Sequence, residues 1–126
     1  MTKTADAFTQ GKAFIPFITC GDPDLETTAR LVRAMAAASA DLIELGVPFS
    51  DPTAEGPVIQ AANERALRTG TTTDKIFGLV QDLRRDVTIP MVMKTIGIVT
   101  SRRKSCTRPK RLSVVVPARS ARSFAA

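Results

Sequence analysis

The sequence has no histidine, tryptophan or tyrosine, and its 126 residues include two cysteines, Cys20 and Cys106. Without histidine, Ser-His-Asp and Cys-His catalysis are excluded, as is zinc held by histidine. Two cysteines without a CxxC spacing provide neither a disulfide framework nor a metal-binding motif, so we predict no metal site. We interpret Cys20 as a small buried hydrophobic residue.

Long apolar segments are also absent. No run approaches the roughly 18 apolar residues of a membrane-spanning helix. The polar segment 1–12 lacks the apolar core of a signal peptide. We therefore expect a cytoplasmic protein with no membrane partner.

The chain has no acidic residue after Asp86. Residues 1–100 carry 10 Lys or Arg and 12 Asp or Glu, whereas residues 101–126 carry 8 Lys or Arg and no acid. This asymmetry indicates either a basic tail that meets anionic partners or two segments of different origin. Because Phe124 is the tail's one aromatic residue, a stacking platform is absent and we expect no nucleic-acid partner.

Short apolar segments rich in β-branched residues predict three strands, at residues 13–19, 41–47 and 87–93. A loop with several Pro and Gly residues follows the second of them. Each segment has the length of a typical strand, and each is bounded by turn-forming or helical sequence. The three strands therefore form the framework of the predicted sheet.

Helical patterns fill the intervals between these strands, at 25–40, at 57–68 and from 71–74 onward. Asp24 can cap the first helix, and Pro57 suits the first position of the second. The predicted apolar stripes are Leu31, Met35 and Ala38; Val58, Ala62 and Ala66; and Ile76, Val80 and Leu83. Strands that alternate with helices imply an α/β fold with a parallel sheet and right-handed crossovers.

Glu44 lies between Ile43 and Leu45 in a strand that a parallel sheet would bury. A buried carboxylate is costly unless it is paired or protonated. Either strand alternation points Glu44 at a polar neighbour or solvent, or Glu44 is a general acid or base near the end of its strand. Asp51 and Glu55 in the following loop are either solvated or converge with Glu44 on one ligand.

The segment from Glu44 to Pro52 reads Glu-Leu-Gly-Val-Pro-Phe-Ser-Asp-Pro and resembles the signature of tryptophan synthase alpha subunits. Residues 14–19, the turn at 21–23 and residues 55–60 are similar to the same family. The resemblance covers roughly residues 8–95. It implies the N-terminal part of a (β/α)₈ TIM barrel, a fold of about 250 residues when complete.

The resemblance also implies a function. The family cleaves indole-3-glycerol phosphate to indole and glyceraldehyde 3-phosphate, a lyase step of tryptophan biosynthesis without metal or organic cofactor. Glu44 and Glu55 would be the catalytic acids, Phe17 would line the indole pocket, and Asp51 would take part in communication between subunits. The implied partner is the tryptophan synthase beta subunit, which carries pyridoxal phosphate, in an alpha2-beta2 heterotetramer.

The chain departs from this family in three places. Glu55 stands where the family usually has aspartate, residues 93–96 lack its tyrosine, and no resemblance remains beyond Thr100. We therefore expect an incomplete barrel at residues 1–95, with three β/α units, and an unpatterned basic C-terminal tail at residues 96–126 that is either disordered or out of frame. Because the phosphate-binding loops late in the barrel are missing, little or no lyase activity is expected of this chain alone.

Two alternatives stay open beside the enzyme. One is a non-catalytic pseudo-subunit that only docks a partner. The other is a binder of anionic surfaces that uses the basic tail, since basic segments bind phosphates without sequence preference.

The abrupt change to Arg- and Ser-rich, acid-free sequence predicts that the tail is an out-of-frame or misassembled translation. One of the other two reading frames of the encoding DNA should then restore barrel-like sequence after about residue 95. Barrel-like sequence in neither frame would contradict this prediction.

Overall fold

A computed structural model describes residues 3–9, 11–51, 55–96 and 111–116 of the chain. The elements, in order, are α1 (Lys3–Asp6), β1 (Phe17–Thr19), α2 (Leu25–Ala37), β2 (Ile43–Gly46), α3 (Pro57–Arg68), α4 (Thr73–Leu83), β3 (Met91–Ile96) and β4 (Arg111–Val116). The alternation of strands and helices predicted from the sequence is confirmed. The short helix α1 and the strand β4 are not among the predicted elements.

The sheet has the strand order β1-β2-β3-β4. Strands β1, β2 and β3 are parallel, as predicted, and their register places Phe17 beside Glu44, Glu44 beside Val92, and Gly46 beside Lys94. Parallel strands joined through helices are the repeating unit of a (β/α)₈ barrel. The described part of the chain is therefore a partial barrel of the α/β class.

Strand β4 pairs with β3 in the antiparallel direction, from Met91 opposite Val116 to Ile96 opposite Arg111. It falls within residues 96–126, the range predicted as a basic tail. Neighbouring strands of a (β/α)₈ barrel are all parallel, so β4 departs from that pattern. Because ladder pairing needs only backbone N–H and C=O groups, a short β-branched run can pair with an open sheet edge whatever its origin.

The hydrophobic core lies on one face of the sheet. Alternate residues of β2 and β3 are buried there against helices α2 and α4: Ile43, Leu45, Met91 and Met93 pack with Val32, Ile76, Val80 and Leu83. Cys20 belongs to the same core and is fully buried, which confirms its interpretation, and burial raises the pKa of its thiol to about 12. Since strand side chains alternate between faces, the intervening residues point to the opposite face.

Local start signals of the helices are confirmed. The Asp24 carboxylate accepts a hydrogen bond from the backbone N–H of Thr27 at 2.7 Å and caps α2. Pro57 occupies the first turn of α3, and the Thr72 hydroxyl caps α4 by accepting from Lys75 N–H. These contacts satisfy backbone donors that have no partner within the helix.

The predicted buried faces need two corrections. Helix α2 buries Thr28 and Val32, whereas Leu31 of the predicted stripe is 43% exposed. Thr28 can be buried because its hydroxyl accepts from Gly21 N–H and donates to the Asp24 carbonyl. In α3 the predicted Val58 is 77% exposed, because a strict four-residue spacing drifts around a helix of 3.6 residues per turn. The α4 stripe is confirmed.

An ion pair ties the loop after β1 to helix α3. The guanidinium of Arg65 donates two hydrogen bonds to the Asp22 carboxylate, each at 2.9 Å. The Thr69 hydroxyl contacts the Gly21 carbonyl of the same loop at 3.3 Å. The hydrogen bonds from Arg65 hold the pKa of the Asp22 carboxyl below its usual value.

This pair predicts a loss of stability in acid. Because the pKa of Asp22 is lower in the folded chain, its stabilising contribution is complete above the unfolded value of about 3.9 and is lost as pH falls through the folded pKa. Asp22→Asn should therefore lower the free energy of unfolding at neutral pH and flatten its decline below about pH 4. Urea denaturation at a series of pH values measures both effects.

The matched control is Asp51→Asn. Asp51 is exposed and makes no hydrogen bond or ion pair within the described ranges, so its replacement should leave the pH dependence unchanged. Equal pH profiles for Asp22→Asn and the unmodified chain would show that the Asp22–Arg65 pair does not contribute to stability.

Candidate active site

The face of the sheet opposite the core carries the candidate site. On this face β1 contributes Phe17, β2 contributes Glu44 and Gly46, and β3 contributes Lys94. Gly46 is the last residue of β2 and Lys94 lies in the second half of β3, toward the strand ends at which parallel barrels place their active sites. Phe17 is the first residue of β1 and Glu44 the second of β2, so their side chains start deeper in the sheet. The register that builds the core therefore also brings these side chains together.

Lys94 is at the centre of the charged groups. Its ammonium nitrogen lies 3.6 Å from Oε1 of Glu55 and 3.9 Å from Oε2 of Glu44. The side chains are 18% exposed for Lys94, 17% for Glu55 and 35% for Glu44. One cation thus compensates two carboxylates in a partly desolvated setting, where like charges would otherwise repel one another.

Glu55 reaches Lys94 from the loop rather than from a strand. It precedes Gly56, which caps α3 with a positive φ of 96°, a conformation that favours glycine. Pro57 then starts the helix. The partial positive charge of a helix N-terminus favours a carboxylate close by.

A small pocket opens beside the ion pairs. Phe17, Val47 and Phe49 form its apolar lining, and Glu55, Asn63 and Lys94 form its polar lining. Its cavity volume is about 10 Å³, roughly the space that one water molecule needs. Glu44 is not a lining residue, so its carboxylate joins the site through Lys94. The pocket combines a planar apolar wall with groups that can accept and donate protons.

Phe17 is held between Lys94 and Gly46. The Lys94 ammonium lies 5.6 Å from the centroid of the Phe17 ring, within the range of a cation–π contact. A Cβ atom added at Gly46 would come within 2.6 Å of the ring carbon Cζ. Gly46 therefore leaves the space that the Phe17 ring occupies.

The structure brings together Phe17, Glu44 and Glu55 of the predicted site residues. It does not bring Asp51 to them, since Asp51 is exposed and has no hydrogen bond or ion pair in the described part of the chain. The role of each residue stays a prediction. Lys94 and Asn63 were missed, although Lys94 is a lone charge after Met91-Val92-Met93, the same kind of signal that singled out Glu44.

Neither a metal site nor a membrane-spanning helix is found among the described residues. No group of three or more Cys, Asp or Glu side chains there is placed to hold a metal ion. No described helix is long and apolar enough to cross a membrane.

Fold and site together define an α/β chain of the (β/α)₈ type, with one carboxylate, Glu44, in its second strand and another, Glu55, in the loop that follows. The family model for the tryptophan synthase alpha chain matches residues 4–103. The chain belongs to the tryptophan synthase alpha chain family, a family of lyases.

Individual relatives agree with this assignment. The chain is 50% identical over 95 residues to the tryptophan synthase alpha chain of Lacticaseibacillus casei, covering 75% of this chain and 36% of that protein. It is 56% identical over 82 residues to the protein of the same name from Geotalea uraniireducens, covering 65% of this chain and 31% of that protein. The chain thus spans less than two fifths of the length of these curated relatives.

Solved structures show the same relation. The structure is similar to the tryptophan synthase alpha subunit of Legionella pneumophila, with a TM-score of 0.71 and 37% identity over 76% of this chain and 39% of that one. A tryptophan synthase complex from Pyrococcus furiosus matches with a TM-score of 0.63 and 40% identity, over 67% of this chain and 35% of that chain.

Gly46→Ala should displace the Phe17 ring and narrow the pocket. The new methyl group would also lie 3.2 Å from the Ile18 carbonyl oxygen. Movement of the Phe17 ring would therefore not remove all of the close contacts. We expect a loss of about 1–3 kcal/mol in the free energy of unfolding, the usual cost of overpacking. Urea denaturation measures the loss, and chemical shifts of the Phe17 ring report its displacement.

Gly78→Ala is the matched control. Gly78 lies within α4, and a Cβ added there meets nothing within 4 Å. This substitution should raise the free energy of unfolding by about 0.5–1 kcal/mol, because alanine is the better helix former. An unmoved Phe17 ring in Gly46→Ala would contradict the packing argument.

Proposed function

We propose that this chain is the N-terminal part of an alpha chain that cleaves indole-3-glycerol phosphate to indole and glyceraldehyde 3-phosphate. The observation that carries the proposal is the convergence of Glu44 and Glu55 beside the pocket formed by Phe17, Val47 and Phe49. Carboxylates beside an apolar aromatic wall are the groups that proton transfer to and from a bound aromatic ring requires.

The reaction needs two proton transfers and one electrostatic contact. Cleavage of the bond to the indole C3 carbon requires a proton on that carbon and removal of a proton from the side-chain hydroxyl. Positive charge that develops on the indole nitrogen is stabilised by a nearby carboxylate. Glu44 supplies the proton transfer at C3, and Glu55 supplies the carboxylate on the side of the indole N–H.

The pocket walls suit the aromatic part of this substrate. Phe17 and Phe49 provide apolar faces against which a planar ring can pack. The buried Asn63, which is 7% exposed, and Lys94 add hydrogen-bonding groups at the same pocket. No organic cofactor is needed for these steps, and pyridoxal phosphate belongs to the beta subunit.

The partner in this proposal is a tryptophan synthase beta subunit, in an alpha2-beta2 assembly. Support comes from the similarity to the alpha chain in the tryptophan synthase complex of Pyrococcus furiosus. Asp51 is exposed at the loop after β2 and would take part in communication between the subunits. The site would then operate in the cytoplasm.

A second candidate function is a non-catalytic subunit that docks the same partner. The specific observation in its favour is the Lys94 ammonium, which compensates the two carboxylates whose charge the reaction would use.

A chimera tests the catalytic assignment directly. Residues 1–95 of this chain would be joined to the remaining segment of the Lacticaseibacillus casei relative, and indole release from indole-3-glycerol phosphate would be measured. Glu44→Gln should lower kcat about 10²- to 10⁴-fold, the usual contribution of a positioned acid or base. Glu64→Gln, which changes an exposed glutamate of α3, is the matched control and should leave kcat unchanged.

The 126-residue chain alone, with or without beta subunit, should release little or no indole. Robust release that Glu44→Gln abolishes would show that a partial barrel is sufficient for catalysis. A chimera whose turnover is indifferent to Glu44→Gln would remove Glu44 from the mechanism, whereas a chimera that binds the beta subunit but releases no indole would favour the docking function.

A further inference from the structure

Lys94 differs from the other lysines whose side chains are described. Lys12 and Lys75 are exposed, and the Lys75 ammonium donates to the Gly70 carbonyl at 2.8 Å. The Lys94 side chain is only 18% exposed, lines the pocket and has carboxylate oxygens of Glu44 and Glu55 within 4 Å. A lysine amine forms an imine with a carbonyl compound through steps that need a proton acceptor and a proton donor nearby.

We propose that Lys94 captures small aldehydes as a reversible imine. The ammonium first loses a proton to a carboxylate. The amine nitrogen then bonds to the carbonyl carbon, the π electron pair moves to oxygen, and the oxygen takes up that proton to give a carbinolamine. Loss of water gives the protonated imine, so the ammonium and the aldehyde become one iminium and one water, with charge conserved.

Glu55 and Glu44 supply the groups that move these protons. The Glu55 oxygen lies 3.6 Å from the Lys94 nitrogen and the Glu44 oxygen 3.9 Å, so a small adjustment brings either within hydrogen-bonding distance. The iminium keeps the positive charge of the ammonium. It therefore remains compensated by both carboxylates and by the face of the Phe17 ring.

A second observation concerns the carbinolamine oxygen. Asn63 lines the same pocket and is 7% exposed. Its carboxamide N–H can donate a hydrogen bond to a ligand hydroxyl or carbonyl oxygen. The pocket thus offers an amine, two proton acceptors and an amide donor to one small carbonyl compound.

The inference rests on the proposed function only for the identity of the natural aldehyde. The proposed lyase step releases an aldehyde, glyceraldehyde 3-phosphate, beside these residues. Capture itself requires an aldehyde whose carbonyl carbon can reach the Lys94 nitrogen. Glycolaldehyde, which has two carbons, is therefore the probe.

The experiment is reductive trapping on the full 126-residue chain. The chain is incubated with glycolaldehyde and sodium cyanoborohydride, whose hydride reduces the iminium to a stable secondary amine, and peptide mass mapping measures the labelling rate at each lysine. Lys94 should label at least about tenfold faster than Lys12 and Lys75, a modest part of what positioned acid–base groups contribute.

Substitutions distinguish imine formation at Lys94 from a role of Lys94 in ion pairs alone. Lys94→Arg keeps the charge but should remove the labelled peptide while Lys12 and Lys75 label as before. Glu55→Gln should slow labelling at Lys94 toward the rate of Lys12, whereas Glu64→Gln should not change it. Circular dichroism on each variant establishes that it is folded.

Two results would overturn the proposal. Labelling of Lys94 no faster than Lys12 and Lys75 in the folded chain would mean that the carboxylates only hold an inert ammonium. Faster labelling of Lys94 in Glu55→Gln than in the unmodified chain would also mean that the carboxylates only hold an inert ammonium. Neither result bears on indole release by the chimera, so failure of this inference and failure of the proposed lyase function are distinguishable.

Discussion

The parallel register of β1, β2 and β3 is the constraint on which the rest of the structure depends. Because strand side chains alternate, this register assigns Ile43, Leu45, Met91 and Met93 to the face covered by α2 and α4. It assigns Glu44 and Lys94 to the other face. A slip of one residue would turn charged groups into the core and apolar groups outward. Core and candidate site are therefore two consequences of one pairing.

Local signals account for the part of the fold that the sequence predicts well. Helix α3 has the predicted bounds, Pro57 to Arg68, and α2 and α4 begin at predicted capping residues. These features depend on residues close in sequence. The buried face of α2 was predicted less well, because the hydroxyl of Thr28 finds its partners in the loop that contains Gly21 and Asp24. Strand β4 was missed for a similar reason, since its pairing with β3 is nonlocal.

In the candidate site, too, some residues could be predicted from the sequence and others depend on nonlocal contacts. Glu44 stood out as a carboxylate within an apolar strand, and the resemblance singled out Glu55 and Phe17. Lys94 was seen in the sequence only as a departure from the family pattern. Lys94 lies near both carboxylates because β3 pairs with β2 so that Gly46 is opposite Lys94. This pairing joins residues that are far apart in the sequence. A rule that flags every isolated charge in a predicted strand would have flagged Lys94 together with Glu44.

The charged groups of the site remain partly solvated, which limits how strongly they can stabilise charge in a transition state. Glu44 is 35% exposed and Lys94 18% exposed in the described structure. Electrostatic stabilisation of a transition state is strongest where water is excluded, because the effective dielectric constant is then low. Under the proposed function, the described strands would form one wall of such a site, with two carboxylates and an aromatic surface. Full catalytic power would also require surfaces that exclude water and bind the phosphate. The Lys94 ammonium matters most in this setting, because it keeps two neighbouring carboxylates compensated without help from a bound ligand.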